Sequence, residues 1–148
     1  MKKGELLSKM IHLAVIGHFG QFDQGGNPYI LHCLAVLNLL DSDDEEVQCM
    51  AVGHDLIEDT DMTYQKLREE GMTERIISGI RCLTKLPGET YEEYKARVKS
   101  NPDSVLVKMA DLTHNSDIRR LKGVRDKDIQ RMVRYHTFFL ELKTIKEK

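Results

Sequence analysis

The stretch DDEEVQCMAVGHDLIEDT, residues 43–60, decides the predicted fold class. Asp43, followed three residues later by Glu46, has the pattern of a helix-capping box. Side chains then recur on adjoining helical turns, at Val47, Met50, Ala51, His54 and Glu58. This period is typical of a helix rather than a strand. The stretch therefore predicts one helix that begins at Asp43 and carries His54 and Asp55 in its interior.

The rest of the chain shows the same helical period. Residues 5–19 place Leu6, Met10, Leu13, Ala14 and Ile16 on one stripe, and Pro28 suits the first turn of a helix that runs to about residue 40. Short helices are predicted after Thr63 and Thr73, and further helices over 90–99, 105–121 and 126–145. Strand signals are almost absent. We expect one all-α domain over residues 1–148, a compact bundle of about seven or eight helices.

Composition narrows the class of protein. The chain has 148 residues, and its net charge of −2 argues against a general nucleic-acid binder. No apolar run is long enough to cross a membrane, and the first residues lack the apolar stretch of a signal peptide. Cys33, Cys49 and Cys82 show no CxxC pairing and are interpreted as buried, reduced thiols. We expect a cytoplasmic protein that binds neither nucleic acid nor membrane.

His54 and Asp55 are candidate metal ligands. Acidic side chains on an apolar helix are costly unless they are paired or bind a metal. Adjacent helical residues point about 100° apart, so one ion against the helix can take both side chains. Glu58 and Asp59 each lie one turn beyond one of these ligands. That spacing predicts a carboxylate beside an activated water, where a general base belongs.

Two further residues complete the candidate metal site. His32 lies on the preceding helix, and Asp111 lies inside the apolar stretch 105–112, where an unpaired aspartate would be expensive. Together with His54 and Asp55 they give two imidazoles and two carboxylates. Such a set suits manganese, iron or zinc better than calcium or magnesium. For each residue alone, the alternative is a paired or capping side chain.

The order of the motifs resembles the HD phosphohydrolase superfamily, and within it the RelA/SpoT-type alarmone hydrolase domain. The first motif consists of HFGQ at 18–21 and GNPYILH at 26–32, the second is HDLIEDT at 54–60, the third is LTKL at 83–86, and the fourth is KMAD at 108–111 with His114-Asn115. They cover about residues 12–121, in the order of the family. A lone His-Asp pair would be weak, whereas four ordered motifs are specific. The chain is thus similar to a small, stand-alone alarmone hydrolase.

This resemblance implies the fold of an HD domain and an activity. It implies manganese-dependent removal of the 3′-pyrophosphate of guanosine tetra- or pentaphosphate, with GDP or GTP and pyrophosphate as products. It also implies site residues: His32, His54, Asp55 and Asp111 hold one manganese ion per chain, Glu58 and Asp59 are the catalytic pair, and Asn115, Lys85 and Lys108 bind substrate. Lys108 has an equal alternative as a solvent-facing residue. Other divalent transition metals fit the same ligands.

One stretch departs from the family pattern. Where the family usually carries an Arg-Lys pair that helps to hold the guanine nucleotide, this chain has Phe22-Asp23-Gln24-Gly25. Asp23 would repel a phosphate placed nearby. The segment 119–134 is rich in basic residues and could supply the missing charge, with Arg119 and Arg125 as candidates; a solvated helix face is the alternative.

The altered stretch leaves three functions open. The first is the alarmone hydrolase that the resemblance implies. The second is a phosphohydrolase of the same scaffold that acts on another nucleotide phosphate ester. The third is a catalytically silent nucleotide-binding module, which the acidic pair Glu58 and Asp59 argues against. In all three cases the expected partner is a small-molecule nucleotide.

Overall fold

The computed structural model describes residues 2–148 and confirms the all-α fold class. Its nine α-helices are α1 (Glu5–Gly17), α2 (Ile30–Leu39), α3 (Glu45–Gly53), α4 (Leu56–Asp59), α5 (Tyr64–Glu69), α6 (Glu74–Leu83), α7 (Tyr91–Lys99), α8 (Pro102–Asn115) and α9 (Asp126–Lys146). A 3-10 helix spans Ile118–Arg120. Over residues 2–148, the extended pairing consists of one isolated bridge between Phe22 and Pro28. None of the helices in this range is both long and apolar enough to span a bilayer.

Helix α3 lies at the centre of the bundle, where it packs against α1, α2, α6 and α8. Two glycines allow this close packing. A Cβ atom on Gly53 would lie 2.7 Å from Met10 Sδ, and one on Gly79 would lie 2.3 Å from Met50 Sδ. Both positions are therefore closed to larger residues unless the methionine moves. The core that results extends from α1 to Phe138 and Leu142 of α9, which are fully buried.

The predicted helix over 43–58 is broken in two. Its N-cap is Asp44 rather than Asp43, because the Asp44 carboxylate accepts the Glu46 N–H at 3.0 Å. Helix α3 ends at Gly53, and His54 and Asp55 form a turn before the single-turn helix α4. The prediction that His54 and Asp55 lie in a helix interior is therefore wrong. This break adds one helix to the expected number.

Other boundaries also differ from the prediction. Asn101 caps α8 through the N–H groups of Asp103 and Ser104, so the helix begins at Pro102 and ends well before residue 121. Pro28 lies in the bridge with Phe22, two residues ahead of α2. Ile16 is 61% exposed and does not belong to the buried stripe of α1.

The remaining boundaries agree with the sequence. The hydroxyl groups of Thr63, Thr73 and Thr90 each accept a backbone N–H three residues later, at 3.1–3.2 Å, and begin α5, α6 and α7. The three cysteines are free; Cys33 and Cys49 are buried and Cys82 is partly buried.

Candidate metal centre

Four side chains from three parts of the bundle converge on one point. His32 comes from α2, His54 and Asp55 come from the turn between α3 and α4, and Asp111 comes from α8. His32 Nε2 lies 3.0 Å from Asp111 Oδ1 and 3.9 Å from Asp55 Oδ2. His54 Nε2 lies 3.0 Å from Asp55 Oδ2 and 3.3 Å from Asp111 Oδ1. The structure thus brings the four candidate ligands together, with the two histidines and Asp111 buried.

His54 Nε2 is the atom that best tests whether a metal fits. It is buried and has no partner in hydrogen-bonding geometry among residues 2–148. Nδ1 of the same ring lies 2.7 Å from the carbonyl oxygen of Ala51, which requires Nδ1 to carry the hydrogen. The lone pair of a neutral His54 is therefore on Nε2, directed at two carboxylates. A buried acceptor among anions is unfavourable alone, and a divalent cation at this point would satisfy all of these groups.

His32 and Asp55 are oriented by neighbouring side chains. His32 Nδ1 lies 2.7 Å from His114 Nδ1, so one ring donates to the other. If His32 Nδ1–H donates, then Nε2 of His32 is left with a lone pair, as metal binding requires. Tyr29 lies beside His32, and its hydroxyl donates to Asp55 Oδ2. These partners fix the direction in which both candidate ligands point.

Asp111 is held by cations and by an amide. Lys108 Nζ donates to Asp111 Oδ2 at 2.9 Å, and Asn115 Nδ2 donates to Asp111 Oδ1 at 3.0 Å. Burial raises the pKa of Asp111, but Lys108 and the two imidazoles outweigh it and hold the pKa well below its usual value. Burial likewise lowers the pKa of His54, and the carboxylates of Asp55 and Asp111 raise it well above its usual value. The charges of Lys108, His54 and the two carboxylates are thus strongly paired with one another.

Lys108 and Asn115, two of the three predicted substrate contacts, both donate hydrogen bonds to Asp111. The Lys108 side chain is 14% exposed, which rules out the solvent-facing alternative. Asn115 lies between Asp111 and Arg120, whose Nη1 donates to Asn115 Oδ1 at 3.1 Å. Lys85 is exposed and its Nζ lies 5.5 Å from the centre of the Tyr94 ring. Binding of substrate by these three residues stays a prediction.

Glu58 and Asp59 lie at the entrance to the candidate metal site. Carboxylate oxygens of Asp55, Glu58 and Asp59 lie within 4.8 Å of one another. The backbone N–H of Lys85 donates to Glu58 Oε1 at 2.9 Å. Burial, with the charges of Asp55 and Glu58, raises the pKa of Asp59 to about 6. Asp59 therefore holds a proton nearer to neutral pH than an ordinary aspartate does.

Two cavities adjoin at this site. The metal-side cavity, about 170 Å³, is lined by His54, Asp55, Glu58, Asp59, Lys85 and Asp111 among others. The arginine cavity, about 270 Å³, is lined by Phe22, Asp23, Arg120, Arg131 and Met132 among others. Tyr29, Asn115 and Tyr135 line both cavities. A ligand could therefore extend from the candidate metal site into the arginine cavity.

The basic segment reaches the arginine cavity through different residues from those expected. Arg119 is 88% exposed and pairs with Asp117, and Arg125 is also exposed. Arg120 and Arg131 line the cavity instead. Arg120 Nη2 lies 3.0 Å from Asp23 Oδ2. The basic segment that was expected to replace the missing Arg-Lys pair therefore neutralises the charge of Asp23. Asp23 does not face the cavity as an uncompensated anion.

Several residues that contact the candidate site residues or their supports had no role predicted from the sequence. Tyr29, His18, Gln21 and His114 all lie within the motifs that carry the resemblance. His114 also lies three residues after Asp111 on the same helix, a spacing that gave a second signal for it. The pairing of Arg120 with Asp23 joins residues 97 positions apart, and neither motif nor periodicity indicates it.

Known proteins resemble this chain in sequence and in fold. No protein-family model matches it. It is 35% identical over 120 residues, 73% of the chain, to the guanosine-3′,5′-bis(diphosphate) 3′-pyrophosphohydrolase of Haemophilus influenzae. It is 32% identical over 130 residues, 79% of the chain, to the bifunctional (p)ppGpp synthase/hydrolase SpoT of Escherichia coli K12. The aligned parts are 17% and 18% of those two proteins, so the chain spans less than a fifth of these relatives.

A solved structure matches over nearly the whole chain. It is that of a metazoan orthologue of SpoT that hydrolyses ppGpp and plays a role in starvation responses. The TM-score is 0.77 at 18% sequence identity, and the match covers 99% of this chain and 94% of the other. The shared fold therefore includes all three parts of the bundle that carry the converging side chains.

Proposed function

We propose that this chain, which belongs to the RelA/SpoT-type family of HD-domain hydrolases, removes the 3′-pyrophosphate of guanosine tetra- and pentaphosphate. The products are GDP or GTP and pyrophosphate. The reaction uses one manganese ion per chain, held by His32, His54, Asp55 and Asp111. Relatives that the chain covers in part carry this activity in their names, and this supports the proposal.

The observation that carries the proposal is the buried, unpartnered Nε2 of His54. It faces Asp55 and Asp111 at 3.0 and 3.3 Å, where a cation would satisfy the imidazole and both carboxylates. Two imidazoles and two carboxylates suit a divalent transition metal such as Mn²⁺. A bound ion of this kind supplies Lewis-acid activation of water and neutralises phosphate charge.

The side chains around the ligands perform the proton transfers. Glu58, held by the Lys85 N–H, takes a proton from the water that attacks the phosphorus bonded to the ribose 3′ oxygen. The bond between that phosphorus and the 3′ oxygen breaks, and pyrophosphate leaves. Asp59, whose pKa is raised to about 6, returns a proton to the 3′ oxygen. Asn115, Lys85 and Lys108 bind the phosphates of the substrate, which their place in the lining of the metal-side cavity supports.

The arginine cavity takes the remainder of the nucleotide. It shares Tyr29, Asn115 and Tyr135 with the metal-side cavity, so one molecule can occupy both. The alternative, another nucleotide phosphate ester, is supported by the pairing of Arg120 with Asp23, which leaves less positive charge for a 5′-diphosphate. The net charge of −2 favours a small nucleotide over nucleic acid as the partner. The free cysteines fit a cytoplasmic setting.

A nucleotide panel tests the proposal. The protein is incubated with guanosine tetraphosphate, its adenosine counterpart, GTP and a nucleoside 3′-monophosphate, with Mn²⁺ or with EDTA. We expect GDP and pyrophosphate from guanosine tetraphosphate with Mn²⁺ alone. In ¹⁸O-labelled water the label enters pyrophosphate, because the attack is on phosphorus. Hydrolysis of a different nucleotide alone would replace this proposal with the alternative, and no hydrolysis at all would support the silent binding module.

Matched variants make the panel specific to the proposed site. Asp111→Asn removes one candidate ligand charge, and Asp61→Asn makes the same change at an exposed position. We expect Asp111→Asn to abolish hydrolysis and Asp61→Asn to leave it unchanged. Equal activity of the two variants would contradict the assignment of Asp111 as a ligand.

A further inference from the structure

We propose that His18 and Gln21 are positioning residues that set the orientation of Asp59. Neither side chain reaches the reacting atoms; they act through the backbone of the residue that carries one of the two catalytic carboxyl groups. This inference rests on the proposed function, because it concerns the geometry of that reaction. It adds two residues to the site.

The contacts form a directed chain of hydrogen bonds. Gln21 Nε2 donates to the carbonyl oxygen of Asp59 at 2.8 Å, which fixes the orientation of the Gln21 amide. The Gln21 Oε1 atom then faces His18, where it lies 2.8 Å from Nδ1. An amide oxygen only accepts, so His18 Nδ1 must carry the hydrogen. The order is therefore His18 to Gln21 to Asp59.

Helix α4 needs such support because it is a single turn. A helix of four residues has no stability of its own, and its terminal carbonyl groups have no partner within the helix. The Asp59 N–H is bonded to the carbonyl oxygen of Asp55 at 3.0 Å. Gln21 satisfies the carbonyl oxygen of Asp59. Both peptide groups that flank the Asp59 side chain are thereby held.

The end of α1 lies against α4, and this places the two residues. A Cβ atom on Gly17 would lie only 2.7 Å from Leu56 Cδ2, so the last turn of α1 packs directly on α4. His18 follows at once, is 2% exposed, and packs beside the Tyr29 ring at 5.1 Å between centroids. Tyr29 in turn donates to Asp55. His18 therefore touches the supports of both Asp55 and Asp59.

Stability alone does not account for a histidine at position 18. With the hydrogen on Nδ1, the Nε2 atom is an acceptor, and it is buried without a hydrogen-bond partner among residues 2–148. Such an atom costs folding free energy that an apolar side chain would avoid. What the histidine provides, and an apolar side chain would not, is the Nδ1–H that it donates to Gln21. A purely structural role would favour the apolar side chain, whereas a positioning role requires the donor.

Three variants test the inference. His18→Leu removes the donor and the unpartnered acceptor together, Gln21→Met removes both links at similar volume, and His18→Asn retains an N–H donor near the place of Nδ1. We expect His18→Leu and Gln21→Met to lower kcat about tenfold, which corresponds to about 1.4 kcal/mol, with KM and manganese content unchanged. His18→Asn should stay within about threefold of the wild-type kcat. The exposed Gln65→Met is the matched control and should change nothing.

Two measurements need no substrate. Amide hydrogen exchange across residues 55–60 should accelerate about tenfold in Gln21→Met, and Tm should be retained or raised in His18→Leu. Unchanged exchange and unchanged kcat would overturn the inference. So would a loss of Tm and of bound manganese that accompanies the loss of kcat, since that marks a structural role. A wild-type protein without activity would overturn the proposed function, while faster exchange in Gln21→Met would still support the anchoring of Asp59.

Discussion

Replacement of Lys108 by methionine should destabilise the metal-free protein and should be rescued by the metal. The Lys108 ammonium group lies 2.9 Å from Asp111 Oδ2, and the two side chains are 14% and 6% exposed. Methionine retains most of the apolar stem and removes the charge. Asp111 would then remain buried next to the imidazoles alone. The perturbation therefore isolates one ion pair at the candidate metal site.

The magnitude follows from the burial of this pair. Removing one partner of a buried ion pair costs about 3–5 kcal/mol, because the remaining charge is uncompensated. The His54 imidazolium, whose pKa is held high by Asp55 and Asp111 against the effect of burial, stays beside Asp111 and compensates part of its charge. We therefore expect the lower end, about 3 kcal/mol. For a chain of this size that lowers Tm by roughly 6–12 °C.

Manganese should reverse much of this loss. In Lys108→Met, a divalent ion at the site supplies the positive charge that Lys108 provides in the wild-type protein. The ion also binds Asp111 there without competition from the ammonium group. Binding at 100 times the dissociation constant stabilises the folded state by about 2.7 kcal/mol, and a tighter constant stabilises it more. The rise in Tm on adding Mn²⁺ should therefore be larger in Lys108→Met than in the wild-type protein.

Scanning calorimetry in EDTA and in excess Mn²⁺ measures both effects. Lys99→Met is the matched control, because Lys99 pairs with Glu141 at 3.4 Å with both side chains about one-third exposed. Such a pair is worth about 0–1 kcal/mol. A loss of stability in EDTA that is no larger in Lys108→Met than in Lys99→Met would show that the Lys108–Asp111 pair is not a buried, uncompensated-charge site. Equal stabilisation of both variants and the wild-type protein by Mn²⁺ would show that the ion does not take the place of the Lys108 charge.

Three further predictions concern chemistry, metal affinity and specificity. Glu58→Gln should retain its manganese, as measured by elemental analysis, and should lower kcat about 10²–10⁴-fold, which is the usual contribution of general acid–base catalysis. A near-normal kcat would assign the role of general base to another group. His114→Leu removes the partner of His32 Nδ1 and should weaken Mn²⁺ binding about 10–100-fold by calorimetric titration, and unchanged affinity would refute the orienting role. Asp23→Asn frees the guanidinium of Arg120 and should lower KM for guanosine tetraphosphate about tenfold at low salt and less at high salt; a KM that rises or ignores salt would exclude Arg120 as a phosphate contact.

Helix caps and the order of motifs were readable from the sequence because both depend on residues close together in the chain. The threonine caps of α5, α6 and α7 depend on bonds over three residues, and the structure shows each of them. The convergence of His32, His54, Asp55 and Asp111 was inferred from motif order and from the cost of burying unpaired carboxylates. Their roles as ligands stay predictions, while their proximity is a property of the fold.

The helix break at His54 could not be read from periodicity. The apolar pattern continues through Leu56 and Ile57, and neither proline nor glycine follows Gly53 before α4. The His54 ring bonds to the carbonyl oxygen of Ala51, which competes with the helical hydrogen bonds at that point. Asp55 then adopts φ −105° and ψ 0°, outside the helical region. The contact of the His54 side chain with the backbone therefore ends the helix where the local apolar pattern alone would continue it.

Charge pairing across the bundle was also beyond the reach of one sequence. Asp23 looked like a repulsive substitution because its neighbours in the chain carry no compensating charge. The 3-10 helix that follows α8 brings Arg120 to Asp23, and the exposed Arg119 points to solvent beside it. Two adjacent arginines therefore have opposite environments, which a count of basic residues does not reveal.

Titration of the metal-free protein with manganese shows whether one ion at this site is required for hydrolysis. The ion is removed with a chelator, Mn²⁺ is added back in steps, and the release of GDP and pyrophosphate from guanosine tetraphosphate is followed at each step. We expect no turnover without metal and a rise that saturates at one ion per chain in the wild-type protein, and no turnover at any Mn²⁺ concentration in Asp111→Asn. Full turnover by the metal-free protein, or saturation at one ion in Asp111→Asn as well, would contradict this expectation.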